Sequence, residues 1–374
     1  MNKVKNIRLS KSIISNQEIN SVKKVLKKGY LGMGDEVKKF EIDLSNYFNR
    51  KVSCVSSGTA ALHLSLLALG IKKNDEVLVP SITYLATYQA ITATGAKPIS
   101  CDIYENNILL NIEDVESKIT KKTKVIIPVH YSGDTVNQRK IYRLSKKYNL
   151  RIVEDAAHAF GSEYSNKLIG SFGDIVCFSF DGIKNITTGE GGCVVSNDSK
   201  VINFVNKARL LGVNNETKIK LQNKRNNIPK VDVQGWRYHM SNINAAIGIE
   251  QLKRFEMLKS KRQKNAKLYD LIFKKSDKIK VYKRNYDQIV PHIYVIKILS
   301  KTNISQIRKK LLSKKIESGL HYYPNHKHKI FKNKKINLKN TEKIYSKLLT
   351  LPLHPDLSLK QIKYISKELL NILI

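Results

Sequence analysis

Residues 173–198 read GDIVCFSFDGIKNITTGEGGCVVSND. Two apolar runs, 175–180 and 193–195, are short, β-branched or aromatic and bounded by turn residues, so they predict a pair of buried strands. Between them stands a segment that packing alone does not require: Lys184, then Thr187 and Thr188, then Gly189-Glu190-Gly191-Gly192. A lysine held among apolar strands, with its charge suppressed by burial, suits Schiff-base chemistry with an aldehyde. The same residues also read as a surface lysine in a glycine-rich turn, and the segment by itself leaves both readings open.

Working outward towards the N-terminus, strand-like and helical patterns alternate. Strands are predicted at 52–55, 76–80, 97–101, 125–130 and 151–154, with helices between them. Alternation of this kind predicts a mostly parallel sheet with helices on both faces. Ligands in such sheets gather at the carboxyl ends of the strands, where Ser57, Tyr84, His130, Asp155 and Ser179 are expected to converge. The run 60–69 is apolar nearly all round, which marks an interior helix. Its N-terminus carries Ser57, Gly58 and Thr59 at a strand end, an arrangement suited to a phosphate and equally to a plain helix cap. Before the first strand lie two amphipathic helices, at 10–28 and 35–49, joined by the glycine-rich turn 29–34.

Towards the C-terminus, a helix at 200–211 precedes a polar loop at 213–232 and the cluster Gly235-Trp236-Arg237-Tyr238-His239. One long helix is predicted from Asn242 towards Tyr269, and from about 275 the texture changes to a smaller α+β unit. There 279–282 and 293–298 read as strands, 319–324 as a strand end, 304–314 and 359–374 as helices, and 325–342 as a solvated loop.

The chain has 374 residues, enough for about two domains with a large core. Its formal charge of +36 attracts polyanions, so nucleic acid and anionic membrane surfaces enter as partner classes. The lysines are spread along the chain rather than gathered in one arm, so most of the charge reads as compositional bias and a smaller part as help with anionic substrates. No nucleic-acid partner is expected. The N-terminal residues lack the apolar core of a signal peptide and no stretch is long and apolar enough to span a bilayer, so the cytoplasm is the expected compartment. Cys54, Cys101, Cys177 and Cys193 are scattered without the close spacing of a zinc site, and no metal is expected.

Several motifs in a fixed order carry a family resemblance: SSGTAAL (56–62), PSITYLAT (80–87), PVHYSG (128–133), VEDAAHAFGS (153–162), FSFDGIKNITTGEGG (178–192), GLHYYP (319–324) and LPLHP (351–355). Together they resemble the DegT/DnrJ/StrS sugar aminotransferases, and the resemblance covers nearly the whole chain. It implies the fold-type-I architecture of pyridoxal 5′-phosphate (PLP) enzymes: an α/β fold whose large domain has a mostly parallel, mixed seven-stranded sheet between helices, with a smaller C-terminal α+β domain. The expected division is 1–250 for the cofactor-binding domain and 251–374 for the smaller one. It also implies that Lys184 bonds the cofactor and shuttles a proton as base and acid, and that Asp155 sits against the pyridine nitrogen. Gly58, Thr59 and Ser179 would bind the phosphate, Tyr84 would stack on the ring, and His158 would lie near it. Taken alone, Tyr84 reads as a core aromatic; Asp155, though at a strand end, also admits a helix cap, and His158 a satisfied core histidine. His321 and Tyr322 match a motif at the substrate mouth.

The chain departs from the family in one place. Relatives carry a Gly-Tyr-Asn-Tyr-Arg pattern where this chain has Gly235-Trp236-Arg237-Tyr238-His239. The family asparagine reaches across a homodimer to the neighbouring phosphate, a role Arg237 would fill with a charged fork of donors. His239 replaces the family arginine in a substrate role. The implied reaction moves an amino group from glutamate to a nucleotide-linked keto-sugar, first of all a 4-keto-6-deoxy sugar, for surface-polysaccharide or other glycan synthesis. Alternatives are amination at C3, a PLP-dependent sugar dehydratase, whose relatives replace the lysine with histidine, and a basic nucleic-acid-binding regulator.

Overall fold

The computed structural model describes residues 6–213, 230–332 and 336–374. Most of the loop expected at 213–232, and part of that at 325–342, therefore lies outside the described residues. The main sheet has seven strands: β1 (Val52–Val55), β2 (Glu76–Pro80), β3 (Lys97–Cys101), β4 (Thr123–Ile126), β5 (Arg151–Asp155), and, after the small ribbon of β6 (Glu163–Tyr164) and β7 (Lys167–Leu168), β8 (Ile175–Ser179) and β9 (Gly192–Ser196). Their order is β1-β9-β8-β5-β4-β2-β3. From β8 to β3 all neighbours are parallel, while β9 is antiparallel to both β1 and β8. The chain between β8 and β9 makes turns rather than a crossover helix, so it returns antiparallel and leaves residues 180–191 at the end of the sheet where β8 finishes.

Both faces of the sheet are covered, which is why its strands read as continuous apolar runs instead of alternating ones. In β8, Ile175 and Cys177 pack with Leu62, Leu64 and Leu66 of the helix Gly58–Ala68. Val176 and Phe178 point the other way, onto Phe40, Leu44 and Phe48 of the helix Asp35–Phe48. All four cysteines are buried free thiols on strands, used as small hydrophobes.

The second, three-stranded antiparallel sheet is ordered β10 (Ile279–Val281), β11 (Tyr294–Ile298) and β12 (Leu348–Leu351). Helices Phe255–Phe273 and Leu359–Ile372 pack with it in one apolar cluster, which Ile7 joins. Among the described residues no helix is long and apolar enough to cross a membrane.

Four expectations are corrected. The helix predicted from Asn242 to Tyr269 is two helices, Asn242–Lys253 and Phe255–Phe273, broken at Arg254, whose side chain pairs with buried Glu18 at 2.7 Å. The strand predicted at 125–130 ends at Ile126, because Pro128 has no N–H to give to the ladder. The backbone of His130 still pairs with the end of β5, its N–H bonding Asp155 O at 3.0 Å, but its side chain does not face the ligand as expected: it is fully buried and bonds Glu154 through Nε2 at 2.8 Å. Residues 319–324 are irregular apart from a single bridge from Gly319 to Thr350. The partner in that bridge belongs to β12, a strand the sequence reading did not pick out.

Candidate active site

A cavity of about 350 Å³ opens at the carboxyl ends of β5 and β8, walled on its far side by residues preceding β11 and β12. Its floor is built first by the turn after β1. Ser57 caps the helix Gly58–Ala68 through Oγ, which accepts from Ala60 N–H at 3.1 Å. Gly58 and Thr59 come before any intrahelical acceptor and line the cavity with Ser179. The approach is close: a Cβ on Gly58 would stand 2.8 Å from Ser179 Cβ. Only glycine lets the helix end and the β8 end meet here, and the meeting makes a concave surface of backbone N–H groups and hydroxyls suited to an anion.

Asp155 ends β5 and is nearly buried. One carboxylate oxygen accepts from Thr87 Oγ1 at 2.8 Å and the other from Ala157 N–H at 3.1 Å. Thr83 bonds Thr87 in turn at 2.9 Å, so the chain of hydroxyls fixes the carboxylate's orientation. The helix-cap reading does not hold, because residues 156–161 make turns and no helix follows; Asp155 satisfies Ala157 N–H in that turn and lines the cavity.

Lys184 lies in the same wall. Burial brings its amine down to about 8, against Asp155 and Asp181, which favour the charged form, and Arg262 adds to the lowering. The loop carrying it is anchored by buried Thr187 and Thr188, whose hydroxyls bond Phe180 and Glu190 carbonyls, and by Asn244 Nδ2 donating to Thr188 O at 2.7 Å. This is no surface lysine in a solvated turn.

His158 is buried, and its Nδ1 accepts from Ser132 N–H at 3.2 Å. The neutral ring therefore carries its proton on Nε2, which donates to the Tyr322 hydroxyl oxygen at 3.0 Å. Burial first, with the nearby Lys184 adding to it, keeps the ring from protonating. Tyr322 and Tyr84 rings lie 5.8 Å apart at the mouth, where Tyr84 is 59% exposed rather than a core aromatic. His321 bonds Thr350 through Nδ1 at 2.9 Å, and burial pushes it down to about 4.

The structure thus brings together Lys184, Asp155, His158, Gly58, Thr59, Tyr84, Ser179, His321 and Tyr322. Arg237 and His239 do not line the cavity. Arg237 is exposed on a segment whose backbone bridges Leu210, and His239 bridges Val55 beside the Ser57 turn. Sequence reasoning missed three lining or supporting groups: His292, Glu190 and the Thr83–Thr87 pair. Thr83 and Thr87 lie inside PSITYLAT and Glu190 inside the glycine-rich segment, so position within a motif was the available signal; His292 has none.

The DegT/DnrJ/EryC1/StrS aminotransferase family profile matches residues 12–370. The chain belongs to this family. GDP-perosamine synthase of Escherichia coli O157:H7 is 37% identical over 344 residues, 90% of each chain. Among solved structures, PseC of Helicobacter pylori, an aminotransferase involved in the biosynthesis of pseudoaminic acid, superposes with a TM-score of 0.91 at 28% identity over 99% of each chain. Spr1654 of Streptococcus pneumoniae, solved in PMP and PLP forms, gives 0.90 at 29% identity for the PMP form over 98% of this chain and 99% of its own. The member described here is an aminotransferase of fold type I.

Its residues fit pyridoxal phosphate. The cradle at Gly58 that a Cβ would fill offers donors for a phosphate, a lysine amine of depressed basicity is available for an aldehyde, and the oriented Asp155 carboxylate suits a protonated ring nitrogen.

Proposed function

We propose that this aminotransferase moves an amino group from glutamate to a nucleotide-linked keto-sugar, first of all a 4-keto-6-deoxy sugar, in glycan or surface-polysaccharide synthesis. Its cofactor is pyridoxal phosphate, which when bound supplies the electron sink that makes a carbon beside the amine acidic. The observation that carries the reading is Lys184 in one cavity with an oriented Asp155 and a glycine-bared helix end. The likeness to GDP-perosamine synthase and to PseC supports the sugar class.

In this reading Lys184 Nζ would hold the cofactor and, once released from it, would take up and return the proton at the reacting carbon. Asp155 would hold the ring-nitrogen proton. Gly58, Thr59 and the Ser179 hydroxyl would bind the phosphate, and Tyr84 would cover the ring. His158 Nε2 holds the Tyr322 hydroxyl at the mouth, beside His321, where sugar and glutamate enter. A nucleotide diphosphate gives binding energy far from the reacting carbon, and the basic chain helps to collect it.

The enzyme acts as a cytoplasmic homodimer. Tyr84 and Ile183 line the cavity yet are 59% and 37% exposed, and Tyr30 and Leu31 add further exposed apolar surface that a second copy would cover. Exposed Arg237 then serves the partner subunit's phosphate site. A dehydratase reading is disfavoured by Lys184 itself, since those relatives carry histidine there.

The test is spectroscopic. Purified protein with PLP should show a visible band that glutamate bleaches, and Lys184→Ala should lack it. A band that survives Lys184→Ala sinks the assignment, and a band that glutamate leaves unchanged sinks glutamate as the donor.

A further inference from the structure

Arg262, on the helix Phe255–Phe273, is 2% exposed and meets no carboxylate among the described residues. Its partners are main-chain carbonyls. Nη1 donates to His292 O at 3.1 Å and Leu353 O at 3.4 Å, and Nη2 to Ile183 O and Lys184 O, both at 3.3 Å. Nε is buried without a partner. Burying a cation with no counter-ion is costly, and an apolar side chain of similar volume would fill the space without that cost. Stability alone therefore does not account for an arginine here.

Its neighbours suggest what the charge does. Lys184 and His292, whose main chains the guanidinium joins, face each other through their side chains, Nζ to Nε2 at 3.5 Å. We propose that Arg262 is a positioning residue for Lys184: its fork ties the Lys184 main chain to that of His292, which fixes the amine against the His292 ring, and its buried charge stands behind the same segment. The proposal rests on Lys184 being the cofactor-bonding amine.

The charges facing Lys184 come from every element around it. Asp155 on β5 and Asp181 on its own loop favour a protonated amine, while burial and Arg262 oppose it. His158, His292 and His321 are held neutral by burial and contribute no competing charge. On its other side Arg262 faces His354, which burial and the Arg262 charge bring down to about 4, with Asp356 and Lys11 acting in opposite directions on it. Arginine is the residue type that can hold a charge here, because burial lowers it only to about 10, still well above neutral pH.

The test reads Lys184 without cofactor, separately from the spectroscopic test of its role. Cofactor-free full-length protein is pulsed with acetic anhydride across a pH series, and acetylation of Lys184 is followed by mass spectrometry, with exposed Lys23 as internal reference. Wild-type Lys184 should reach half its limiting rate near pH 8. Arg262→Gln, which keeps one amide donor and removes the charge, should raise that midpoint, because the Arg262 charge is one of the contributions that lower it. Arg262→Lys, which keeps the charge, should leave it in place while slowing PLP capture by the loosened loop. An unmoved midpoint in folded Arg262→Gln overturns the proposal. If neither variant folds, a wild-type Lys184 midpoint no lower than that of Lys23 overturns it without them.

Discussion

Gly58 has an ordinary helical environment on one side and the end of a neighbouring strand on the other. The missing side chain is what brings them together, since a Cβ would lie 2.8 Å from Ser179 Cβ and 3.2 Å from Ser179 Oγ. Gly58→Ala keeps the helix, whose propensity it improves, and pushes the helix end away from Ser179. The protein should fold with a nearly unchanged melting temperature while losing at least about tenfold in PLP affinity, the size of one charge-assisted hydrogen bond. Titration of cofactor-free protein with PLP measures this, and an affinity within twofold of wild type would show that the phosphate sits elsewhere. Residues of this kind are legible in sequence as a phosphate cradle or a helix cap, and the two readings coexist here, with Ser57 capping the helix and Gly58 baring its end. His292 is the opposite case. Its place beside Lys184 depends on Arg262 gripping both main chains from a helix residues away, which no local pattern encodes.

At the scale of elements, the strands were legible where burial on both faces made them uniformly apolar, as in β8 and β9. Reading failed where a distant side chain decides the backbone. At the break the Arg254 side chain meets Glu18, far away in sequence, and the helical pattern running from Asn242 towards Tyr269 carries no sign of that contact. Residues 319–324 look like a strand because they are aromatic, yet His321 and Tyr322 are turned into the cavity instead of a ladder. Glu18 also makes a testable joint. It is 1% exposed, accepts from Ser15 N–H at 2.8 Å in a capping box and from Gln251 Nε2 at 2.6 Å, and pairs with Arg254. Burial would raise its carboxyl, but these hydrogen bonds outweigh burial and hold it below its usual range. Glu18→Ala removes the return bond of the capping box, leaving Ser15 as the cap of the helix Asn16–Lys28, and leaves Arg254 without its anion, so urea unfolding should show a loss of about 3 kcal/mol. Glu18→Gln, which keeps an acceptor for the cap, should lose visibly less. A loss under about 1 kcal/mol for Glu18→Ala would mean that the helix docks independently of this joint.

At the scale of the molecule, two site residues expected from the family, Arg237 and His239, do not line the chain's own cavity, and Arg237 is the exposed one of the two. The backbone around it is tied down, with Tyr238 N–H bonded to Arg209 O at 3.0 Å and Ser56 N–H to Tyr238 O at 2.6 Å, so Arg237 stays on the surface. A homodimer that serves each phosphate site with the partner subunit's Arg237 turns this into a complementation experiment. Lys184→Ala and Arg237→Ala subunits are each deficient alone when PLP is limiting. In a mixed dimer, the site on the Arg237→Ala subunit keeps its own Lys184 and receives an intact arginine from the other chain, while the second site lacks both. Random mixing makes half the dimers hybrid with one working site of two, so activity should recover to about a quarter of wild type. If Arg237 acts within its own chain, every site in the mixture lacks Lys184 or Arg237 and no recovery occurs. A monomeric enzyme gives the same null result, and sedimentation of the unmixed protein separates the two cases.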